Sequence, residues 1–588
     1  MSRTLRLLFI GILLLGLAGV GWRMYSLSQE ELLWGHLPLA LFGSAWLLHG
    51  LVWLPTGGPI RWQHPAVLGM ASSLLLALAF PPTGLIPGIF LGFVPLFFIV
   101  DQAKTGREVF RWSFFALFGW NVLTTFWVAN ANLGAGLVAM GLNSIFMAGV
   151  LWLYYQVRKR FESLGTLVLI PLWIAFEYLH FQWELNWPWL TLGNAFSAFP
   201  SIVQWYEYTG VLGGSLWALS TNLLLYRLLQ NKERRIAIGL QLGLLLILPS
   251  FISWGLIQRD YGDDIKYGYE KADLLLVQPN FEPHYEQNQV DQALQAKRMA
   301  DLIRPALNES LDYVVLPETV LGGMSVDQIG SDRYTRRLQA LQDSFPKVRF
   351  LIGLATHRFL KTDEAATPFT RTHITTKQDT LRYERYNAAV QLNPQKVGEV
   401  GIYKKSRLVP GAEFFPFKTF LSFLEPIVDQ MGGSVSGLGT QNERAVFSST
   451  QGAKVAPIIC YESVFGAFVT GYVRGGAQFL AIMTNDGWWD LTAGHKQHAA
   501  YARLRAIENR RWVVRAANTG ITSVIDPFGK VTAATEYGET TVLRTTVNLH
   551  DNLTFYSIWG DILGRLSSVF AVLLLLNLLV RRLTTTQN

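Results

Sequence analysis

The sequence predicts two architectures in one chain: a polytopic α-helical membrane bundle and, after it, an α/β layered domain standing outside the lipid. Three observations carry this. Of the 588 residues 50% are hydrophobic and only 16% charged, with a positive mean hydropathy, which argues against both a purely soluble globular chain and a disordered one. Uncharged runs long enough to cross a bilayer crowd the region before residue 259. Beyond it the chain turns polar, and short β-rich runs alternate with helix-like stretches.

The uncharged runs are Leu7–Trp22, Leu32–Leu54, Trp62–Val100, Trp112–Val157, Ser163–Phe176, Tyr208–Tyr226, Ile236–Gln258 and Leu566–Val580. A span needs about 20 apolar residues, so the two longest runs each cross twice. Their breaks are expected at Pro81-Pro82-Thr83-Gly84 and at Asn130-Ala131-Asn132-Leu133-Gly134. This gives about nine spans before residue 259 and one at the end. The basic residues set the orientation. With the N-terminus in the cytoplasm, the inner side receives Arg3 and Arg6, Arg61, the group Lys104, Arg107 and Arg111, the group Arg158, Lys159 and Arg160, then Lys232, Arg234 and Arg235, and finally Arg581 and Arg582. The outer loops hold little more than Arg23, so the segment 259–564 is expected outside the cytoplasm. The 50 Lys and Arg against 42 Asp and Glu give a net +8, but these residues sit at the ends of apolar runs and form no stripe. They read as membrane anchors, and no nucleic-acid partner is expected. Trp183, Trp187 and Trp189 fall in an outer loop and are expected in an interfacial belt. Glu177 lies inside a span, where a charge must face the bundle interior or a polar cavity.

In the outer segment, β-rich runs are expected at 273–278, 313–316, 349–355, 387–391, 455–461, 477–484 and 521–525. Helices are expected at 288–306, 333–344 and 495–511, and 361–385 reads as a polar surface excursion. The domains are therefore the bundle 1–258, the α/β domain 259–564, and a C-terminal helix with its tail, 565–588.

The single cysteine excludes an internal disulfide framework and a CxxC site. Cys460 ends the apolar run Val455-Ala456-Pro457-Ile458-Ile459, a place that suits an inert buried residue, although strand ends of α/β domains also display reactive groups. Glu318 follows a similar run in Leu316-Pro317-Glu318; it fits a solvated or helix-capping carboxylate and equally a general base that would raise the reactive fraction of a thiol. Lys405 lies in Tyr403-Lys404-Lys405-Ser406-Arg407-Leu408-Val409-Pro410, where Lys404 and Arg407 read as exposed or membrane-facing charges. A lysine beside a thiol favours the thiolate and stabilises an oxyanion. His495 and His498 stand three apart with no third ligand in view, so no metal is expected and hydrogen bonding near the site is.

In this order, Glu318, Lys405 and Cys460 resemble the Glu-Lys-Cys triad of the carbon-nitrogen hydrolase, or nitrilase, superfamily. Set between N-terminal helices and one C-terminal helix, they resemble the membrane-bound branch of that superfamily, the apolipoprotein N-acyltransferases. Supporting motifs include Ala79-Phe80-Pro81-Pro82-Thr83-Gly84, Trp187-Pro188-Trp189, Gln278-Pro279-Asn280, Thr484-Asn485-Asp486-Gly487-Trp488 and Gln497-His498, and the resemblance covers 66–582. The first two helices lie outside it. The chain departs from the family pattern at Val409-Pro410-Gly411-Ala412-Glu413 and at Asn485-Asp486-Gly487-Trp488-Trp489-Asp490, and the family tryptophan after Gln-Pro-Asn has no counterpart near Tyr285–Asn288.

The resemblance implies an αββα nitrilase-like sandwich for the outer domain. It also implies Glu318 as general base, Lys405 as transition-state stabiliser and Cys460 as nucleophile. Glu413, Tyr461 and Glu462 would support the site, and Trp488 would sit on a mobile loop near a lipid entrance. The implied reaction moves an sn-1 acyl chain from phosphatidylethanolamine, through a Cys460 thioester, to the α-amino group of diacylglyceryl-cysteine in an apolipoprotein. It needs no cofactor. The partners implied are the phospholipid donor, the diacylated apolipoprotein and the bilayer; the protein would be a monomer of the bacterial inner membrane with its catalytic domain in the periplasm. Two rivals use the same residues: a membrane-anchored amidase with water as acceptor, and an inactive scaffold, which has no reason to keep all three.

Overall fold

A computed structural model describes residues 3–54, 61–160, 162–267, 269–374, 380–393, 400–424 and 436–585. They form two compact units. The first runs to Gly255 and includes Thr492–Gln497 and the residues from Asp561; the second comprises Leu256–Leu491 and His498–Gly560.

In the helical unit, Arg3–Gln29, Leu133–Arg160, Arg235–Arg259 and Ile562–Val580 are long and apolar enough to cross a membrane, and Leu37–Trp53, Pro65–Ala79 and Pro87–Gln102 are shorter apolar helices. The first expected break is a turn, whereas the second holds the end of the short helix Val128–Ala131 and one non-helical residue, Asn132. One helix ends at Ala79 and the next starts at Pro87, while Gly106–Thr125 and Leu133–Arg160 flank the second break. The stretch Pro87–Gln102 is interrupted at Gly92 and Phe93. Free backbone groups are costly in an apolar surround, and here side chains of other helices take them up. Asn222 donates to Ile89 O at 2.7 Å and accepts from Phe93 N at 2.8 Å, and Ser72 Oγ donates to Gly92 O at 2.6 Å. Glu177 is buried, as expected of a charge within a span, and its Oε1 accepts from Trp173 Nε1 at 3.0 Å and Leu192 N at 2.8 Å.

The aromatic belt expected around Trp183–Trp189 is corrected at Trp189, which is 1% exposed. Its Nε1 donates to Gln497 Oε1 at 2.7 Å, and Trp127 Nε1 donates to the same oxygen at 3.2 Å. Gln497 Nε2 donates to Pro81 O at 2.9 Å and Thr124 O at 3.0 Å. A tryptophan whose N–H has a buried acceptor has no need of the water interface.

The second unit holds two sheets. Strands β1 (Lys271–Gln278), β2 (Tyr313–Val315), β3 (Leu321–Ser325), β4 (Arg349–Phe359), β5 (Arg371–Ile374), β6 (Thr380–Leu392) and β7 (Gly401–Lys404) lie in the first. Strands β8 (Phe447–Ser448), β9 (Lys454–Ile459), β10 (Phe479–Thr484), β11 (Val513–Ala517), β12 (Ser523–Ile525) and β13 (Val531–Ala534) form the second, and β14 (Thr541–Asn548) returns to the first. The first is ordered β14-β1-β2-β4-β6-β5, with β3 beside β4 and β7 beside β6; the second is ordered β13-β12-β11-β10-β9-β8. Parallel pairing runs through β1-β2-β4 and β9-β10-β11, which explains why these strands read as unbroken apolar runs: both faces are covered. One face of the first sheet packs Leu275, Val277, Val314 and Phe350 against Ala296, Met299 and Ile303 of helix Gln292–Ile303 and Leu338 of helix Arg333–Asp343. The other face meets the second sheet, where the rings of Tyr313 and Phe479 lie 6.0 Å apart and the Tyr313 hydroxyl donates to Ala453 O at 3.2 Å. The polar excursion at 361–385 contributes β5 and the start of β6 as a paired ladder; its residues 375–379 lie outside the described ones.

Candidate active site

Glu318, Lys405 and Cys460 stand just past the carboxyl ends of three strands drawn from the two sheets, where side chains leave a sheet without breaking a ladder. Glu318 follows β2, Lys405 follows β7, and Cys460 follows β9. Cys460 takes φ +47°, a left-handed conformation that a residue with a Cβ adopts at a cost, and opens the tight turn Cys460–Val464. The turn is held by the Ser463 hydroxyl, which donates to Cys460 O at 2.7 Å. Thr319, directly after Glu318, is also left-handed at φ +47°. Gly353 of β4 makes room there: a Cβ on it would lie 2.3 Å from Pro317 O and 2.6 Å from Glu318 Cα.

Lys405 ties the carboxylates together. Its Nζ donates to Glu318 Oε1 at 3.0 Å and to Glu413 Oε1 at 2.8 Å, with the lysine side chain only 2% exposed. Asn387 of β6 donates to the same two oxygens, at 2.7 Å to Glu318 and 3.3 Å to Glu413. Glu318 Oε2 accepts from Asn485 N at 3.3 Å, and Glu413 Oε2 accepts from Val409 N at 2.8 Å. Burial alone would lower the lysine pKa, but Glu318 and Glu413 outweigh it and hold Nζ as an ammonium well above its ordinary range. The Cys460 thiol moves up well above its usual value, first through burial and then through the charge of Glu318, against a smaller opposing pull from Lys405. Lysine proximity, expected to favour a thiolate, is thus outweighed by burial. The resting thiol is neutral, and a nucleophile at this position requires a base at the moment of attack.

The remaining expected residues take distinct places. Glu462 is fully buried and accepts from Tyr403 Oη at 2.6 Å, Ser406 N at 2.7 Å, Ile459 N at 2.9 Å and Tyr472 Oη at 3.2 Å. It braces the lysine loop against the turn of Cys460. Burial raises its pKa, and these hydrogen bonds oppose the shift. Tyr461 is buried with its ring 5.1 Å from Phe465, edge to face. Trp488 is 40% exposed, with its carbonyl 3.2 Å from His284 Nε2 and its ring 5.1 Å from the His284 ring. Lys404 and Arg407 are half-buried, which corrects their reading as exposed charges: Lys404 Nζ lies 3.8 Å above the Tyr386 ring and Arg407 lies over Phe465 at 5.3 Å. His498 lies against the Cys460 carbonyl, whereas His495 groups with the helical unit. Among the described residues no group of three or more His, Cys, Asp or Glu is disposed to hold a metal ion. Asn387, which shares both carboxylates with Lys405, escapes sequence reasoning. Asn387 lies on a strand that also carries Arg382, Glu384, Arg385 and Gln391, so no break in the residue pattern singles it out.

A cation bridging two carboxylates beside a strand-end cysteine, on paired mixed sheets, defines a carbon-nitrogen hydrolase-type catalytic domain. Residues 276–552 match the family model for carbon-nitrogen hydrolases. Among solved structures, the nitrilase-superfamily protein Nit3 of Saccharomyces cerevisiae is similar at 18% identity and a TM-score of 0.33, over 50% of this chain and 94% of that one. In the helical unit, residues 72–224 match the model for the apolipoprotein N-acyltransferase N-terminal domain. A Chlorobaculum tepidum protein named apolipoprotein N-acyltransferase is 30% identical over 88% of this chain and 97% of its own length. A Geobacter metallireducens protein of the same name is 27% identical over 84% and 92%. The chain belongs to the apolipoprotein N-acyltransferase family: it is a membrane-bound acyltransferase.

Proposed function

We propose that the enzyme moves the sn-1 acyl chain of phosphatidylethanolamine to the α-amino group of diacylglyceryl-cysteine on an apolipoprotein, in two steps through one thioester. Glu318 takes the proton from the Cys460 thiol as Sγ attacks the ester carbonyl, and the Lys405 ammonium carries the developing oxyanion. As the tetrahedral intermediate collapses, the carbon–oxygen bond breaks, Glu318 returns the proton to the leaving oxygen, and lysophospholipid departs. The lipoprotein amine then attacks the thioester. Glu318 accepts its proton and passes it to the departing Sγ, which restores the thiol.

Lys405 is the observation that supports this reading most directly, since its ammonium is buried between Glu318 and Glu413 and opposes the rise that burial and Glu318 impose on the Cys460 thiol. Glu413 keeps the ammonium charged, Glu462 and Tyr461 shape the turn, and Trp488 belongs to a mobile loop near the lipid entrance. In this reading the bundle 1–258, with about nine helices, and the C-terminal helix 565–588 anchor a periplasmic catalytic domain 259–564 in the bacterial inner membrane as a monomer. The bilayer tether suits an acyl donor that never leaves the lipid.

Intact-protein mass spectrometry after exposure to phosphatidylethanolamine tests the proposal. A hydroxylamine-sensitive acyl adduct on Cys460, discharged onto a diacylated lipopeptide amine, is the expected result. Hydrolysis of small amides without an adduct would replace it with the amidase reading, and neither activity would leave an inactive scaffold.

A further inference from the structure

One cluster beside the cysteine has no part in the chemistry above. His498, on helix Ala493–Asn509, is 1% exposed, and its Nε2 lies 3.2 Å from Cys460 O and 2.9 Å from Ser463 Oγ. The Ser463 hydroxyl proton is already committed to Cys460 O. Both oxygens therefore face the ring with lone pairs, and Nε2 must carry the proton. On the other side of the ring, Nδ1 lies 2.9 Å from Asp486 Oδ1 and 3.3 Å from Arg515 Nη2, and Arg515 Nη2 donates to Asp486 Oδ2 at 2.8 Å. The Trp489 ring meets the imidazole edge to face at 5.4 Å. Asp486 Oδ1 also accepts from the Thr484 hydroxyl at 2.7 Å. The cluster therefore touches Cys460 at its carbonyl, through His498 and Ser463. Asp486, His498 and Arg515 are all fully buried.

We propose that His498, oriented by Asp486 and Arg515, is a positioning residue for acyl transfer. Its Nε2–H and the Ser463 hydroxyl clamp the Cys460 carbonyl and hold the left-handed backbone of the cysteine, while Asp486 and Arg515 fix the ring that does so. The inference rests on Cys460 being the nucleophile and assigns what keeps that nucleophile in place.

The test uses the full-length enzyme in detergent with phosphatidylethanolamine as donor. Because the chain contains 1 cysteine, the mass of the acyl adduct reports Cys460 alone. His498→Ala is expected to slow acylation about 100-fold with the donor KM held within about threefold, since a displaced nucleophile costs rate and leaves binding intact. His498→Gln, whose amide N–H reaches toward the same carbonyl, is expected to recover about tenfold of that loss. A merely structural histidine would lower the folded fraction without that split or that rescue. Acylation of His498→Ala within about threefold of the parent, or His498→Gln no faster than His498→Ala, overturns the proposal. If the alanine variant does not fold, Ser463→Ala decides: a loss of about tenfold in rate at unchanged KM supports the clamp, and an unchanged rate overturns it. An absence of adduct on the parent enzyme would instead strike at Cys460 as nucleophile and would take the clamp down with it.

Discussion

Gly353→Ala is the most informative single change in this enzyme, because it moves the proposed base without touching it chemically. Gly353 lies in β4, pressed against the segment that carries Glu318. An added methyl would stand 2.3 Å from Pro317 O, 2.6 Å from Glu318 Cα and 2.8 Å from Thr319 N. All three are backbone atoms, so no side chain can swing away, and the segment must retreat by about 1 Å to reach ordinary contact. Thr319 already holds a left-handed backbone there, and the displacement passes directly to the carboxylate paired with Lys405 and Asn387. Overpacking of this kind costs about 1–3 kcal/mol of stability. A misplacement of about 1 Å at a reacting group costs on the order of 100-fold in rate. The assay is the single-turnover rate of Cys460 acylation, read by mass, beside a thermal melt. The control is Gly322→Ala in β3, where a new methyl would meet the Ala355 methyl at 3.2 Å and Ala355 O at 3.7 Å. A folded Gly353→Ala enzyme that acylates within about threefold of the parent would show that the placement of Glu318 does not limit the reaction.

Other predictions follow from the charges of the site. Lys405→Met leaves two carboxylates without their shared cation and is expected to cost about 3–5 kcal/mol in chemical denaturation and about 100-fold or more in acylation, whereas Lys404→Met, which loses one ring contact, should cost less than about 1 kcal/mol; equal losses would refute the distinction. Glu318→Gln removes a charge that raises the Cys460 thiol, so iodoacetamide should label the cysteine faster at a given pH while acylation falls, two opposite responses from one substitution. Asp486 is held at about 2 by Arg515 and His498 against the opposing effect of burial. Its folded value lies below the unfolded value of about 3.9, so its contribution, on the order of 2–3 kcal/mol, is present above pH ~5 and lost as pH falls toward ~2. Denaturation midpoints across that window should fall more steeply for the parent than for Asp486→Asn.

Much of this architecture can be read from residue pattern because it depends on local rules. Val455–Ile459 and Phe479–Thr484 are apolar throughout because parallel pairing buries both of their faces, and the same burial makes the polar residue at each strand end conspicuous. Glu318 and Cys460 were legible for that reason. Asn387 was not, since its partners Glu318 and Glu413 lie 69 residues before it and 26 after it and nothing local marks it. The same holds for Trp189, whose sequence neighbours suggest an interface while a glutamine 308 residues away makes it part of a core. Asp486 and His498 stood in recognisable motifs, but their joint attachment to Cys460 depends on β9, β10 and a helix meeting in space.

Glu462 has a consequence that reaches beyond its hydrogen bonds. A single carboxylate receives the amide of Ile459, before the cysteine, and the amide of Ser406, after the lysine, so the two segments share one fixing point. Relative drift of the thiol and the ammonium would have to break a buried contact on one side or the other. A centre braced in this way works as an anvil: it cannot be tuned first for one reactant and then retuned for the next. In a two-step transfer, the choice between water, lysophospholipid and amine therefore falls to the traffic that reaches the thioester, and the order of events is decided by access and residence time.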